Sequence, residues 1–345
     1  MNNTTILNMV FNDHDYSHLE DKSFFITGGT GFLGMWFLKA INFLNYQYNL
    51  KIKVHLLTRN KIKYKKIKSL KDTTFYFYYS DIKNFKIKKI NVDHIFHLAA
   101  ETSLKKNLDF KNVVDTIING TLSVIDYAKI VSPQSITYLS SGGIYGKNCK
   151  NKNGWHEEDE NSPSIFDDVA TYGFSKKCSE KLLLEYFKNS KNLKTLNIFR
   201  AFSFGGSEFN SDSHFAYYKF IKNRILNKDI KLNSLGTSTR NYMHPLDLAN
   251  WMLLSLKFKN INLINTGNTD SNTTIYNLAK KIAEYKYYDL PLVRVKKGSL
   301  HDHQNYTPNL SKSLELGLKT KISLEMQIED SLHENYKNTN NNLNI

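Results

Sequence analysis

Cysteine is almost missing: Cys149 and Cys178 are the only two in 345 residues, and they do not stand at metal-ligating spacing. That scarcity argues against a disulfide framework and a zinc site, so no metal is expected, and a reducing, cytoplasmic setting is the simplest reading. Long apolar runs are missing too. A helix that crosses a bilayer needs ~20 consecutive apolar residues, and no stretch approaches that length, so no membrane span or membrane partner is expected. The first 21 residues, rich in Asn, Asp and His, lack the basic-then-apolar layout of a signal peptide. Acidic residues are in deficit, 32 Asp and Glu against 47 Lys and Arg, for a net charge of +15. Such a surplus invites a nucleic-acid reading. The lysines are scattered, however, and their densest run, Lys61 to Lys71, falls in an expected loop and surface helix. No groove-reading motif accompanies them, so no nucleic-acid partner is expected. The positive field suits an anionic cofactor and substrate instead.

What is present is a packed chain, 41% hydrophobic and 13% aromatic. Short apolar runs alternate with longer helical patterns over the first two-thirds, the signature of a parallel sheet covered on both faces by helices. Ser23–Thr27, Lys53–Thr58, Phe75–Ser80, His94–Ala99, Ser135–Ser140 and Thr195–Phe199 read as strands. Gly31–Asn45, Asn112–Ile130 and Val169–Lys188 read as helices between them. The fold class is therefore α/β, a Rossmann-type doubly wound parallel sheet with a smaller mixed α/β C-terminal lobe. In that lobe Phe215–Leu226, Leu246–Leu256 and Ile275–Tyr285 read as helices. The expected organisation is an extension over 1–21, a dinucleotide-binding domain over 22–205, a substrate lobe over 206–336 with chain crossovers between the two, and a disordered tail over 337–345, where Asn dominates.

Thr27-Gly28-Gly29-Thr30-Gly31-Phe32-Leu33-Gly34 leaves the first strand and opens the first helix. Gly28 permits the tight turn, Gly31 lets backbone approach a pyrophosphate, and Gly34 lets helix and strand pack closely. The helix N-terminus adds unpaired N–H groups and a partial positive charge. Glycines in this strand-to-helix context point to a dinucleotide held by Gly28, Thr30, Gly31, Phe32, Leu33 and Gly34. The second strand ends in Thr58-Arg59, where an acidic residue would bind the ribose hydroxyls of NAD. An arginine there pairs with a 2′-phosphate, so NAD(P) is expected with NADP favoured. Asp81 and Ile82, closing the third strand, are placed to contact the adenine.

Tyr172 and Lys176 are four residues apart on an expected helix, on one face of it. A free tyrosine, with a pKa of about 10, is a poor base at neutral pH. A nearby ammonium, together with a nicotinamide cation, favours the phenolate and lowers that value, which lets the pair exchange a proton with a substrate hydroxyl as hydride moves at the adjacent carbon. Ser141 follows the strand that ends at Ser140, on the side where such sheets bind ligands, and its hydroxyl can bond the same substrate oxygen.

With those residues in place the chain resembles the NAD-dependent epimerase/dehydratase family, the extended short-chain dehydrogenases. The resemblance runs from about Lys22 to Glu329. Beside the glycine turn and the Tyr172–Lys176 pair it rests on His97-Leu98-Ala99-Ala100, Asn119-Gly120-Thr121, Ser140-Ser141-Gly142-Gly143-Ile144-Tyr145-Gly146, Phe199 to Gly205, Arg240 to Ala249, and Asn265-Thr266-Gly267, in that order. It implies Ser141, Tyr172 and Lys176 as a catalytic trio, with Tyr172 and Lys176 also touching the cofactor, as would Leu98, Ala99 and Ala100. Asn119 would be structural, and Asp247 would fix the loop near Arg240. Substrate would meet Ser141, Gly142, Tyr145 and Ser203, and Arg240 would hold its diphosphate, a task that suits a bidentate guanidinium. The implied substrate is a nucleotide-diphosphate sugar and the implied assembly a homodimer, built by pairing the helices near Asn112–Ile130 and Val169–Lys188.

Family members that eliminate water need an acid/base pair directly after the catalytic Ser or Thr. Gly142-Gly143 stands there, and neither residue can transfer a proton. A 4,6-dehydratase or a decarboxylase is therefore disfavoured, which leaves a 4-epimerase or a 4-ketoreductase. Ser203, Gly206 and Asn309 depart from the Asn, Pro and Asp common at those places. A catalytically silent dinucleotide-binding protein would show a broken trio, and this chain does not; RNA binding has only the basic balance behind it.

Overall fold

The computed structural model describes all residues except 1–2, 60–66, 102–108, 148, 168–169, 209–214, 271, 288–289, 301–302 and 344–345. Most of the lysine run from Lys61 and the first residue of the helix expected from Val169 lie outside the described residues. In chain order, α1 (Asn3–Phe11) precedes β1 (Ser23–Thr27), α2 (Phe32–Tyr48), β2 (Lys53–Thr58), β3 (Thr74–Tyr79) and β4 (His94–His97). Then come α3 (Phe110–Val114), a π-helical turn over Asp115–Asn119, α4 (Gly120–Val131), β5 (Ser135–Ser141), α5 (Ala170–Asn189) and β6 (Thr195–Ala201). The remainder holds β7 (Ser203–Phe204), α6 (Ala216–Ile225), β8 (Ile230–Lys231), β9 (Thr239–Met243), α7 (Pro245–Leu254), β10 (Asn260–Asn265), β11 (Asn272–Thr274), α8 (Ile275–Glu284), β12 (Val295–Lys296), β13 (Asn305–Tyr306), α9 (Ser311–Glu315) and α10 (Leu324–Leu343).

β1, β5 and β6 are buried along their whole length, as expected of strands covered on both faces. Seven parallel strands join in the order β10-β6-β5-β4-β1-β2-β3. The order reverses between β1 and β4, which opens a crevice at the strand C-termini, where doubly wound sheets take their ligands. On one face α2 buries Trp36, Phe37, Leu38, Ile41 and Leu44 completely; each such large side chain is worth roughly 1.5–3 kcal/mol of burial. The other face is covered by α4 and α5 through Val124, Ala128 and Leu183.

A smaller lobe gathers β9, β11 and β13 with β7, beside the β8–β12 pair, around Tyr217, Ile221, Leu278, Ile282 and Ile328. The chain crosses between the two regions. β10 returns from the smaller lobe to pair with β6, and α7 packs into the core cluster that holds α2. The segment before residue 22 is more than a polar extension: Ile6, Val10 and Phe11 are fully buried, and the Tyr16 hydroxyl donates to Asn250 Oδ1 at 2.6 Å. At the other end α10 continues to Leu343, into the tail expected to be disordered. Its early turns are packed at Ile328 and Leu332, and extending a nucleated helix costs less than starting one.

Candidate active site

The crevice begins at the glycine turn. Gly28 has φ 75°, and a Cβ there would lie 2.5 Å from Ala99 N, so this close pass of β1 and β4 admits only glycine. Gly31 caps α2 with extended backbone and no side-chain acceptor, which leaves N–H groups of the first helical turn for an incoming anion. Gly31 is exposed, and the nearest atom to a Cβ there is Gly28 O at 3.2 Å. Gly34 is buried against the turn, where a Cβ would stand 2.3 Å from Gly28 O. Thr30, Phe32, Leu33, Ala99 and Ala100 keep part of their surface open. A glycine-lined helix N-terminus without a carboxylate cap fits a pyrophosphate, so the residues present suit a dinucleotide.

Beneath the cradle, Ala99 N donates to Thr27 Oγ1 at 3.3 Å, and that hydroxyl meets His97 Nδ1 at 2.8 Å. His97 Nε2 lies 3.2 Å from Thr121 Oγ1. Burial, helped by the Lys176 ammonium, pushes His97 down to about 3. It is a neutral strut that ties β1, β4 and α4 together. At the far end Thr58 is buried, while Arg59 is exposed and lies 3.6 Å from Asp81 Oδ2. The guanidinium read as a 2′-phosphate partner thus has a carboxylate beside it. Ile82 is buried against Gly120.

The structure brings the expected trio together. Ser141 is the last residue of β5; its hydroxyl accepts from Gly143 N at 3.0 Å, and a Cβ on Gly143 would lie 3.2 Å from that hydroxyl and 3.7 Å from the Tyr172 ring, so the two side chains meet there. Lys176, one turn along α5 and 1% exposed, donates to Leu139 O at 2.6 Å. Its Nζ lies 4.7 Å from the Tyr138 ring centroid and 6.0 Å from that of Tyr172. Burial depresses Lys176 to about 7, with the Glu180 charge acting the other way. With the lysine alone beside it, Tyr172 stands above the ordinary tyrosine value. Burial is the largest cause and Tyr306 adds to it, while the nearby Ser141 hydroxyl pulls the other way.

Tyr306 is the residue that sequence reasoning missed. It sits on β13 and is pushed up to about 12 chiefly by burial, with the Ser141 hydroxyl and Arg240 acting the other way. Its ring lies 4.9 Å from Phe202 and 5.6 Å from the Arg240 guanidinium. Tyr172, Phe202, Ser203, Arg240 and Tyr306 all keep some open surface. A Cβ on Gly142 would lie 2.7 Å from the Phe202 ring. The only signal for Tyr306 lay in its nearness to Asn309, since a two-residue strand has no periodicity to read.

Other expected residues stand elsewhere. Tyr145 is 1% exposed, its hydroxyl donating to Asn265 Oδ1 at 2.9 Å and accepting from Arg200 at 2.7 Å, so it supports the pocket from behind and does not border it. Arg240 in this state donates to Thr239 O, Gln304 O and Gln304 Oε1. Asp247 fixes a different segment from the one expected: it accepts from Lys321 N at 2.8 Å and Ile322 N at 3.2 Å. Asn119 bonds Asp115 at 2.9 Å within the π-helical turn. Asn309 accepts from Ser311 N at 3.0 Å. Among the described residues no group of three His, Cys, Asp or Glu could hold a metal ion, and no helix is long and apolar enough to cross a membrane.

The family model described as the NAD dependent epimerase/dehydratase family matches residues 24–267. Among curated relatives, the UDP-glucuronate 4-epimerase of Thermodesulfobacterium geofontis is 26% identical over 260 residues, 71% of this chain and 74% of that protein. Among solved structures, the UDP-N-acetylglucosamine 4-epimerase from Methanobrevibacter ruminantium M1 superposes with a TM-score of 0.74 at 20% identity, over 93% of this chain and 99% of that one. The UDP-glucuronic acid 4-epimerase from Bacillus cereus, in complex with UDP-glucuronic acid and NAD, gives 0.72 at 21% identity, over 92% and 99%.

Proposed function

The chain belongs to the NAD dependent epimerase/dehydratase family, and on that premise we propose that it is a nucleotide-sugar 4-epimerase that works with NAD. The observation that carries this reading is the Ser141–Tyr172–Lys176 cluster at the crevice, followed by two glycines that offer no second acid or base. Such a site can take a proton from a sugar hydroxyl and give it back, but the Gly142-Gly143 pair lacks the group that expels water. The relatives and similar structures named above act on or hold UDP-linked sugars, so UDP-sugars are the substrates to test first. NAD is favoured over NADP because Asp81 stands beside Arg59 and would repel a 2′-phosphate, and because the Bacillus cereus enzyme was solved with NAD.

Gly28, Thr30, Gly31, Phe32, Leu33 and Gly34 would hold the pyrophosphate of the cofactor, Asp81 and Ile82 its adenine half, and Leu98, Ala99, Ala100, Tyr172 and Lys176 the nicotinamide half. When bound, it supplies reversible hydride transfer. The protein's share is proton handling and orientation. Ser141 bonds the reacting hydroxyl, and Tyr172 accepts its proton and later returns it. Lys176, poised near 7, favours the phenolate whenever it is charged. Arg240, released from Gln304, would hold the diphosphate beside Ser203. The exposed Phe110, Leu122 and Ile130 on α3 and α4 support a homodimer paired through these helices and α5.

Tyr172→Phe tests the reading. Turnover of UDP-sugars should fall by roughly 10²–10⁴-fold with cofactor affinity nearly intact, measured by coupled assay and by titration. Unchanged turnover removes the assignment. Stoichiometric consumption of NADPH in place of catalytic NAD would instead make the enzyme a 4-ketoreductase.

A further inference from the structure

Helix α5 grips the end of β5 at three consecutive residues. Lys176 Nζ donates to Leu139 O, the Ser140 hydroxyl donates to Glu180, and the Ser141 hydroxyl meets the Tyr172 ring beside Gly143. On the helix these partners stand at 172, 176 and 180, a single stripe one turn apart. Glu180 is the member that the proposed proton transfer does not use. It is 3% exposed, and its other donors come from Arg200 on β6: Nη2 to Oε2 at 2.8 Å, and Nε to Oε1 at 3.2 Å and Oε2 at 3.3 Å. Arg200 then reaches Tyr145 Oη at 2.7 Å and Glu157 O at 2.6 Å with Nη1. Donors meet both Glu180 oxygens, an arrangement suited to a carboxylate, which has no proton of its own to place. A buried ion pair adds little net stability over an apolar pair of similar volume, so stability alone does not account for this one.

We infer that Glu180 is a positioning residue of the site: clamped by Ser140 and Arg200, it sets the register of α5 on β5 and holds a negative charge one helical turn from the buried Lys176 ammonium. The kinetic consequence rests on the epimerase reading above; the electrostatic one does not. The groups around Lys176 are Tyr138 and the Leu139 carbonyl on β5, His97 on β4, and Tyr172 and Glu180 on its own helix. His97 is neutral and both tyrosines hold their protons, so among the described residues Glu180 is the negative charge of this set. Burial drives Lys176 toward its neutral form and Glu180 opposes it. Without that charge the lysine would be neutral at physiological pH and could no longer favour the Tyr172 phenolate.

The test is a titration of Lys176 itself. Full-length protein is labelled with ¹³C at the lysine Cε, and the Lys176 signal is assigned by its loss in Lys176→Met. In Glu180→Gln, which keeps the shape and an acceptor for Ser140, the ratio of charged to neutral Lys176 at a given pH should fall about tenfold, the order expected of one close opposite charge. The limb of the kcat–pH profile set by Lys176 should move to lower pH by the same factor, with cofactor Kd unchanged, and Glu180→Asp should move both back toward wild type. Should Glu180→Gln be too unstable to titrate, combining it with Arg200→Met removes the cation left unpaired; the midpoint should still fall, because Glu180 and not Arg200 is the charge that acts on Lys176. A Lys176 midpoint that stays in place in either folded variant overturns the inference. If the wild type turns over no nucleotide sugar, the reaction reading fails by itself, and the lysine titration still decides the role of Glu180.

Discussion

Adding one methyl group at Gly31 and, separately, at Gly28 distinguishes a turn that merely shapes the protein from one built around a phosphate. At Gly28 an alanine meets two costs. Its φ of 75° lies in the left-handed region, worth roughly 1–2 kcal/mol against an L-residue. Its Cβ would also stand 2.5–2.7 Å from three backbone atoms of Leu98 and Ala99, and such overpacking typically adds about 1–3 kcal/mol. Gly28→Ala should therefore lose roughly 2–5 kcal/mol of unfolding free energy with no ligand present. Gly31 is different: its φ is −78°, it is exposed, and a Cβ has Gly28 O at 3.2 Å as its one close neighbour. Gly31→Ala should leave the free protein within about 0.5 kcal/mol of wild type. The same methyl would stand where the pyrophosphate approaches, and a clash of about 1–3 kcal/mol there raises the dinucleotide Kd roughly 5- to 150-fold. Denaturant unfolding of both variants, with calorimetric titration of NAD, separates the two effects. A Gly31→Ala protein that is stable and binds NAD as tightly as wild type would refute the cradle.

Asp247→Asn probes a buried carboxyl that burial raises to about 7. A free carboxyl titrates near 3.9, so between those values the folded protein holds the extra proton and the contribution of this group to stability falls as pH rises. Asn keeps an acceptor for Lys321 N but turns an NH₂ toward Ile322 N, so stability should drop by roughly 1–3 kcal/mol at low pH, with a shallower slope from about pH 4 to 7. A slope identical to wild type would show that Asp247 does not titrate there. Arg59→Ala should weaken NADP binding several-fold and leave NAD binding nearly unchanged; equal losses would remove any 2′-phosphate contact.

The large sheet was legible because its physics is local. Buried parallel strands such as Ser23–Thr27 and Lys53–Thr58 read as apolar runs, and the helices between them carry a 3.6-residue pattern, so both strands fall where the sequence put them. β10 escaped because Asn260–Asn265 is half asparagine and only its last two residues are buried. The buried side of α1, Ile6, Val10 and Phe11, was hidden among the polar residues of its first turns. In the site, Ser141, Tyr172 and Lys176 could be found because two lie at fixed helical spacing and the third ends a strand. The pairing of Arg59 with Asp81, the burial of Tyr145 and the approach of Tyr306 depend on which distant segments meet, and spacing along the chain does not encode that. The same holds for Tyr172, whose buried surroundings raise it more strongly than the Ser141 hydroxyl lowers it.

The return of β10 to the edge of the large sheet has a consequence for synthesis. β6 bonds β10 in parallel from Thr195 to Arg200, and its partner residues are 260 to 265. At ribosomal rates of about 5–20 residues per second, β10 emerges roughly 3–13 s after β6. During that interval a nascent chain carries a strand with Leu196, Ile198 and Phe199 uncovered and one row of backbone donors and acceptors unanswered, the kind of edge that recruits other chains. Translational pausing downstream of residue 201 would lengthen that window, and holdase chaperones would be needed most there.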